Sequence, residues 1–110
     1  MNGALYRGTR DVQGDLHVFC NRNGAWVPLP PRLDLYNHSP TGLECGYVGS
    51  GPAQLALAIL ADALGNDRRA VKLHQWFHWS LICKLPREEN WEITRELLNE
   101  HLCKIWTRAN

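Results

Sequence analysis

The stretch NHSPTGLECGYVGSGPAQLALAILADAL, at residues 37–64, decides how this chain folds. It joins a polar turn, a glycine-rich loop and a segment almost free of charge. Ser50 or Gly51 can cap a helix there, and Pro52 suits its first turn because a missing N–H needs no partner at that position. Gly65 is typical of a helix end. The stretch therefore predicts a helix over residues 52–64.

At 100° per residue, this predicted helix carries its polar side chains on one narrow face, together with Ala58 and Ala61. The polar residues are Gln54 and Asp62, and the rest of the circumference holds alanine, leucine and isoleucine. A helix that is apolar around most of its surface is normally covered by other elements on several sides. We therefore expect it to form the core.

The residues before this stretch have the pattern of β structure. Residues 4–8 form a possible edge strand. In residues 16–20, Leu16, Val18 and Cys20 alternate with His17 and Phe19, as in a strand. Asn21-Arg22-Asn23-Gly24 tolerates positive φ and is followed by residues 25–27, which predicts a β-hairpin. Pro28 should end the third strand because proline lacks the ladder donor.

Two further short strands are suggested around the polar turn. Residues 33–36 are compatible with a strand or an extended connector, and residues 43–47 alternate in a way that suits a strand entering the glycine loop.

Two more helices are predicted after the core helix. Asp67 can cap the first, which should end before Pro86. Residues 91–93 read as a short extended piece or a first helical turn, and Thr94 can cap the last helix. The apolar face of the first of these helices holds Ala70, Leu73, His74, Phe77, Leu81 and Leu85, and that of the last holds Leu97, Leu98, His101, Leu102 and Ile105.

This order predicts an α+β fold in one domain, residues 1–110. A small N-terminal antiparallel β-sheet, made of a hairpin plus one or two short strands, should pack against three α-helices. A chain of 110 residues with 45% hydrophobic and 21% charged residues has the composition of an ordinary globular domain. The longest apolar run is too short to cross a bilayer, and the first residues lack the apolar core of a signal peptide, so a cytoplasmic protein is expected.

Charge and cysteine content exclude some classes of function. Twelve Lys and Arg against eleven Asp and Glu give a formal charge of +1, and the basic residues are scattered along the sequence. Direct nucleic-acid binding is therefore not predicted, because such binding depends on neutralised phosphates. The four cysteines have no close pairing and are expected to be free thiols.

The glycine loop is one candidate site. Gly46, Gly49, Ser50 and Gly51 precede a helix, where free N–H groups and the helix dipole can hold an anion. The spacing matches neither the dinucleotide nor the P-loop signature. The loop is therefore either a site for a nucleotide or phosphorylated ligand or a purely structural connection.

Metal and catalytic sites have little support. His74 and His78 are four residues apart, as paired zinc ligands are, and Cys83, His101 or Cys103 would have to complete the site. No metal and no cofactor are predicted on this basis.

His38 could be paired with Cys45 or with Ser50 as base and nucleophile, but the order of residues cannot show that they meet. A catalytic set is therefore not predicted, and the chain is not expected to be an enzyme.

Trp76 and Trp79 form the second candidate site, beside Lys72 on the side of their helix away from the apolar face. Either the N-terminal sheet covers these tryptophans, or they are exposed and form a partner-binding surface. The loop residues Tyr47, Val48 and Ser50 are the next candidates for contact with a partner.

Residues 38–60, HSPTGLECGYVGSGPAQLALAIL, resemble a family of short, functionally unassigned proteins of bacteria, archaea and phages with an SPTG…WGY-G-GSGPAQLALAIL segment. The likeness extends from Tyr6 and Gly8 to the helix after Thr94. Cys45 stands where the family tends to have tryptophan, and Val48 where it tends to have glycine.

The resemblance implies no reaction, substrate or cofactor, but it implies an association with phages, prophages and other mobile elements. Small proteins in that setting often bind a host protein, and they include inhibitors of CRISPR and other defence systems. We therefore expect a small protein that binds and inhibits or modulates a host protein complex. The alternative is a nucleotide or phosphorylated-ligand binding protein that uses residues 46–51.

Overall fold

The computed structural model describes residues 3–109, without the side chain of the last of these. Within this range the chain has the predicted α+β fold, with one four-stranded antiparallel sheet and three α-helices. A short 3₁₀-helix, Ile82–Lys84, follows the second α-helix. The elements are β1 Ala4–Arg10, β2 Leu16–Arg22, β3 Ala25–Pro28, α1 Ser50–Leu64, α2 Asp67–Ser80, β4 Trp91–Thr94 and α3 Arg95–Ala109.

The predicted hairpin is confirmed between β2 and β3. Asn23 and Gly24 both have positive φ, 53° and 92°, which is the requirement of the two-residue turn that matches strand twist. Asn21 Oδ1 accepts the Gly24 N–H at 2.7 Å and fixes this turn. As predicted, the third strand ends at Pro28.

Strand β1 lies inside the sheet, so the prediction of an edge strand at residues 4–8 is wrong. The strand order is β3-β2-β1-β4, and β1 pairs with both β2 and β4. The second partner is supplied by Trp91–Thr94, which local patterns near the N-terminus cannot reveal. Gly8 lies opposite Trp91, where an added Cβ would be 2.3 Å from the indole ring. The glycine therefore lets the indole lie directly on the strand.

The predicted strand or extended connector at residues 33–36 is instead a turn. The Leu35 N–H donates to the Arg32 carbonyl at 3.1 Å, and Arg32 has a positive φ of 58°. The chain reverses here because three prolines before it and a polar segment after it leave no partner strand.

Residues 43–47 do not form the predicted strand either. The Glu44 N–H donates to the Gly51 carbonyl at 3.2 Å, and the Gly46 N–H donates to the Ile82 carbonyl at 3.0 Å. These backbone donors are used by the start of α1 and by the 3₁₀-helix, so none remains for a strand ladder. The segment is an irregular packing layer over the end of α1.

Helix α1 is the core, as predicted, and residues 51–61 are all buried. It begins at Ser50 with Gly49 as N-cap and no side-chain capping bond, so the predicted cap at Ser50 or Gly51 is wrong. Gly65 follows the last helical residue and has a left-handed backbone conformation, φ 61°, as expected for a glycine at a helix C-terminus.

Gln54 was assigned to the polar face of α1, yet its side chain is fully buried. Its Oε1 accepts the backbone N–H groups of His38 at 2.8 Å and Ser39 at 3.3 Å. Its Nε2 donates to the Pro31 carbonyl at 2.6 Å. The amide therefore fastens the irregular chain before α1 onto the core helix.

Helix α2 is capped by Asn66 rather than by Asp67. Asn66 has extended backbone angles, and its Oδ1 accepts the Arg69 N–H at 3.0 Å. Asp67 is the first helical residue. The predicted cap of α3 is confirmed, because Thr94 Oγ1 accepts the Leu97 N–H at 3.2 Å. The predicted apolar face of the second helical segment is buried throughout: Ala70, Leu73, His74, Phe77, Leu81 and Leu85.

Candidate functional site

Three tryptophans are exposed where α2 and α3 meet. Trp76 and Trp79 on α2 are 42% and 57% exposed, and Trp106 on α3 is 47% exposed. The sheet does not cover the first two, so that alternative from the sequence is wrong. Tryptophan is highly buried on average, which makes a group of three half-exposed rings unusual for a surface.

The exposure of Trp76 and Trp79 follows from the phase of α2. Leu73 and Phe77 face the core, and Lys72, Trp76 and Trp79 follow one another at spacings of four and three residues on a neighbouring stripe. Since α1 covers only the buried stripe, this neighbouring one is left at the surface.

Two open grooves lie between α2 and α3. One contains Trp106 and Leu73, and the other contains Trp76, Trp79 and the buried Ile105. Their linings include six exposed basic residues and no aspartate or glutamate: Arg68, Arg69, Lys72, Lys84, Lys104 and Arg108. We call these six residues together with the three tryptophans the tryptophan face.

The cations of the tryptophan face are electrostatically available. Between residues 3 and 108, no carboxylate forms an ion pair with any of the six. The Arg69 guanidinium lies 4.8 Å above the Trp106 ring, which is a cation–π distance. By contrast, four arginines of the sheet and its loops are paired with acids: Arg7 with Glu92, Arg10 with Glu44, Arg22 with Asp62, and Arg32 with Asp34 and Asp67.

A serine–histidine pair in the second groove is one feature that sequence reasoning missed. Ser80 Oγ on α2 and His101 Nδ1 on α3 are 2.5 Å apart, although the two residues are twenty-one positions apart in sequence. Burial lowers the pKa of His101, and nearby Lys104 lowers it further, so the ring is neutral at pH 7. Glu100 Oε2 is 3.7 Å from His101 Nε2, which is too far for the hydrogen bond that orients a catalytic base. The pair therefore joins the two helices and does not form a triad.

His74 and His78 do project in similar directions, but their ring nitrogens are occupied. His74 Nδ1 donates to the Val71 carbonyl at 2.7 Å, so its Nε2 accepts from His38 Nε2 at 2.9 Å. His78 Nδ1 donates to the Gln75 side chain at 3.1 Å, and its Nε2 accepts the Gly49 N–H at 3.4 Å.

Burial lowers the pKa of His74 and of His78, which fits neutral rings satisfied by hydrogen bonds. Residues 3–109 contain no group of three His, Cys, Asp or Glu side chains arranged to hold a metal. Any ion at these two rings would have to displace hydrogen bonds that hold the fold together.

The hydrogen bonds of the described residues join His38 neither to Cys45 nor to Ser50. His38 Nε2 bonds to His74, while Cys45 Sγ lies 3.5 Å from the Pro86 carbonyl and 3.9 Å from Arg10 Nη2. Burial raises the pKa of the Cys45 thiol, which keeps it protonated. The four cysteines are free thiols, as predicted.

The glycine loop is packed closely at three positions. An added Cβ would lie 2.6 Å from the Glu44 side chain at Gly51 and 2.8 Å from the Tyr47 ring at Gly49. Gly46 has φ 84°, and its Cβ would lie 2.8 Å from the Arg87 side chain. With the Gly46 and Gly49 N–H groups already bonded within the protein, an anion would have to compete for these donors.

The three remaining candidates do not join the tryptophan face. Tyr47 and Ser50 line a different, polar depression near the β1–β2 connection, and Val48 is exposed beside them. Arg87 stacks over the Tyr47 ring at 4.7 Å. The sequence candidates thus fall into two sets, of which only Lys72, Trp76 and Trp79 belong to the grooves.

The helices of the described residues include none long and apolar enough to span a membrane. The chain belongs to a family described as a family of unknown function, DUF6166, which matches residues 6–104. Searches of curated proteins and of solved structures give no match. Family membership agrees with the resemblance to proteins of unassigned function and supplies no reaction or ligand.

Proposed function

We propose that this protein acts by binding another protein through its tryptophan face. The observation that carries the proposal is the exposure of Trp76 and Trp79 within a groove between two helices. Tryptophan, tyrosine and arginine are enriched among binding hot spots, and tryptophan buries a large area with little loss of side-chain entropy. Among residues 3–108, neither the Ser80–His101 pair nor His38 has the oriented partners of a catalytic set, which favours binding over catalysis.

The partner expected from the resemblance is a protein complex of a bacterial or archaeal host. Defence complexes, including CRISPR effectors, are the leading class because the resembling proteins accompany phages and prophages. Occupation of a functional surface on such a complex would inhibit or modulate it without any chemistry by this chain. A typical specific interface buries about 800 Å² on each partner.

Ligand binding by residues 46–51 has weaker support. Two of the loop N–H groups are used inside the protein, and the glycines are explained by close packing against Glu44, Tyr47 and Arg87. A helix N-terminus without the glycine spacing of a nucleotide-binding signature gives little specificity for a nucleotide.

The test is affinity capture from an extract of a bacterial or archaeal host, followed by titration of the purified partner. The double variant Trp76→Ala/Trp79→Ala should weaken binding at least about thirtyfold, which is the effect of losing a single hot spot. Val12→Ala is the control, because Val12 is likewise an exposed apolar side chain but lies in the β1–β2 turn, away from the grooves.

The proposal fails if the double variant is folded, as judged by circular dichroism, and binds the purified partner as tightly as the original protein. It also fails if Val12→Ala weakens binding as much as the double variant, because the effect would then not belong to the tryptophan face.

A further inference from the structure

We infer that the tryptophan face receives an acidic segment of its partner, in which aspartate or glutamate side chains are interspersed with apolar ones. This inference rests on the proposed function and specifies the chemistry of the partner. It follows from the juxtaposition of three exposed tryptophans and six cations that have no carboxylate partner among residues 3–108, in two adjoining grooves.

Basic and acidic side chains are unevenly distributed over the surface of the protein. Six of its twelve Lys and Arg residues line the grooves, while none of its eleven Asp and Glu residues does. Of the other six basic residues, four are neutralised by direct ion pairs. The net charge of +1 therefore hides a positive area on one side of the protein.

The cations lie close enough to act together. Lys72 follows Arg68 and Arg69 by one helical turn, and Arg108 follows Lys104 by one turn on the facing helix. Unit charges of the same sign within a Debye length of about 8 Å repel one another at physiological salt. A ligand with several negative charges relieves this repulsion, which a neutral ligand cannot do.

The tryptophans set a second requirement. Trp76 and Trp79 present apolar surface between Lys72 and Lys84, so a purely charged ligand would leave that surface in water. Burial of apolar surface contributes about 25 cal/mol per Å². The best occupant therefore has apolar side chains that reach the rings and carboxylates that reach the flanking cations.

A protein segment fits this face better than a nucleic acid. Glu96 and Glu100 lie on α3 outside the linings, so a strand with a phosphate at every nucleotide would run onto like charges there. Arg69 already covers the ring of Trp106, which removes one platform for base stacking. A short acidic segment ends where the positive area ends.

Three fluorescent probes can test the inference by anisotropy titration. The first is an amphipathic peptide of glutamate and leucine, the second is the same peptide with glutamine for glutamate, and the third is an oligo(dT) strand of equal charge. The glutamate peptide should bind at least about tenfold more tightly than the glutamine peptide, and its affinity should fall as salt is added.

Charge reversal supplies the matched variants. The double variant Lys72→Glu/Lys104→Glu should weaken the binding of the glutamate peptide at least about tenfold, because two attractive charges become repulsive ones. Arg95→Glu is the control, because Arg95 is exposed at the start of α3 but lines neither groove. Circular dichroism checks that each variant is folded.

The inference is overturned if the two peptides bind equally, if the glutamate peptide does not bind at about 1 mM, or if oligo(dT) binds more tightly than it. It also fails if Lys72→Glu/Lys104→Glu binds the glutamate peptide as tightly as the original protein. The proposed function can survive these outcomes, because loss of partner capture on removing Trp76 and Trp79 would then show a docking face with other chemistry.

Discussion

The Nε2 atoms of His38 and His74 lie 2.9 Å apart, so one ring must donate a proton that the other accepts. His74 is the acceptor, because its Nδ1 proton is given to the Val71 carbonyl. Four residues further along α2, His78 accepts the Gly49 N–H. Two neutral histidines of one helix thus hold both ends of the irregular segment that enters α1.

This arrangement predicts that stability falls when the solution becomes mildly acidic. Burial lowers the pKa of His38, His74, His78 and His101 from the ordinary value of 6.5, so the unfolded chain binds more protons below that value than the native one. Stability should therefore be constant between about pH 7 and pH 8, before the thiols of an unfolded chain titrate, and decline between about pH 6.5 and pH 5. Melting temperature measured across this range is the test.

Exposed His17, whose Nε2 lies 2.9 Å from Asp11 Oδ2, provides the control. The variant His17→Gln should show the same decline, since its ring is not buried by folding. The pKa values of carboxylates such as Glu44 and Asp62 are lowered in the native protein, so their protonation destabilises it only at a more acidic pH. They therefore do not mimic the effect of the histidines. A melting temperature that stays flat down to about pH 5 would contradict the assignment of neutral, buried rings.

Replacement of Gln54 by leucine should destabilise the protein by about 1–3 kcal/mol or more, although it adds an apolar side chain to an apolar helix. The N–H groups of His38 and Ser39 and the Pro31 carbonyl would lose their partner inside the core. Urea unfolding gives the measurement, and Gln13→Leu in an exposed turn is the control. If Gln54→Leu left the unfolding free energy unchanged, water would have to replace the amide.

Local sequence patterns predicted the elements whose causes are local. The apolar run of α1, its end at Gly65, the Asn23-Gly24 turn and the Thr94 cap all depend on neighbouring residues. The position of β1 was missed because its second partner, β4, lies more than eighty residues away. Gln54 was placed on the polar face of α1 because helical periodicity sorts side chains by polarity alone. Periodicity contains no information about the three backbone groups, distant in sequence, that the buried amide binds.

In the candidate site, too, local features were predicted from the sequence and long-range ones were missed. Trp76, Trp79 and Lys72 were found because they share a stripe on one helix. The scattered cations appeared unremarkable in sequence, yet Arg69 and Arg108, thirty-nine positions apart, line adjoining grooves once α3 folds back on α2. Trp106 and the Ser80–His101 pair depend on that same long-range packing, which no local pattern encodes.

Gly8→Ala should strongly destabilise the sheet. The new methyl group would lie 2.3 Å from the Trp91 ring, so the indole or the strand would have to move. Overpacking of this kind costs about 1–3 kcal/mol, and here the indole is buried and has little room to shift. Thermal unfolding measures the loss. Gly3→Ala is the matched control because nothing lies within 4 Å of its Cβ, and an equal effect of both changes would contradict the packing explanation.

The four thiols should react with iodoacetamide in the order of their exposure. Cys103 is exposed and Cys83 is half-buried, whereas Cys20 and Cys45 are buried and burial raises the pKa of both. Since the thiolate is the reactive form, the last two should react only when the protein unfolds. Peptide mass spectrometry over time gives the order. Rapid labelling of Cys45 in the native protein would contradict its position beneath Arg10 and Pro86.

Removal of a buried tryptophan should destabilise the protein far more than removal of an exposed one. Trp91 is only 6% exposed and fills the space left by Gly8, so Trp91→Ala should cost about 3–5 kcal/mol. Trp79 is half-exposed and faces a groove, so Trp79→Ala should cost less than about 1 kcal/mol.

Urea unfolding of the two variants measures this difference directly. A large loss on removing Trp79 would make it a structural residue and would remove the main reason to assign it to binding. A small loss would mean that this large apolar ring contributes little to the free protein. Its exposure would then be explained by what it contacts in the complex.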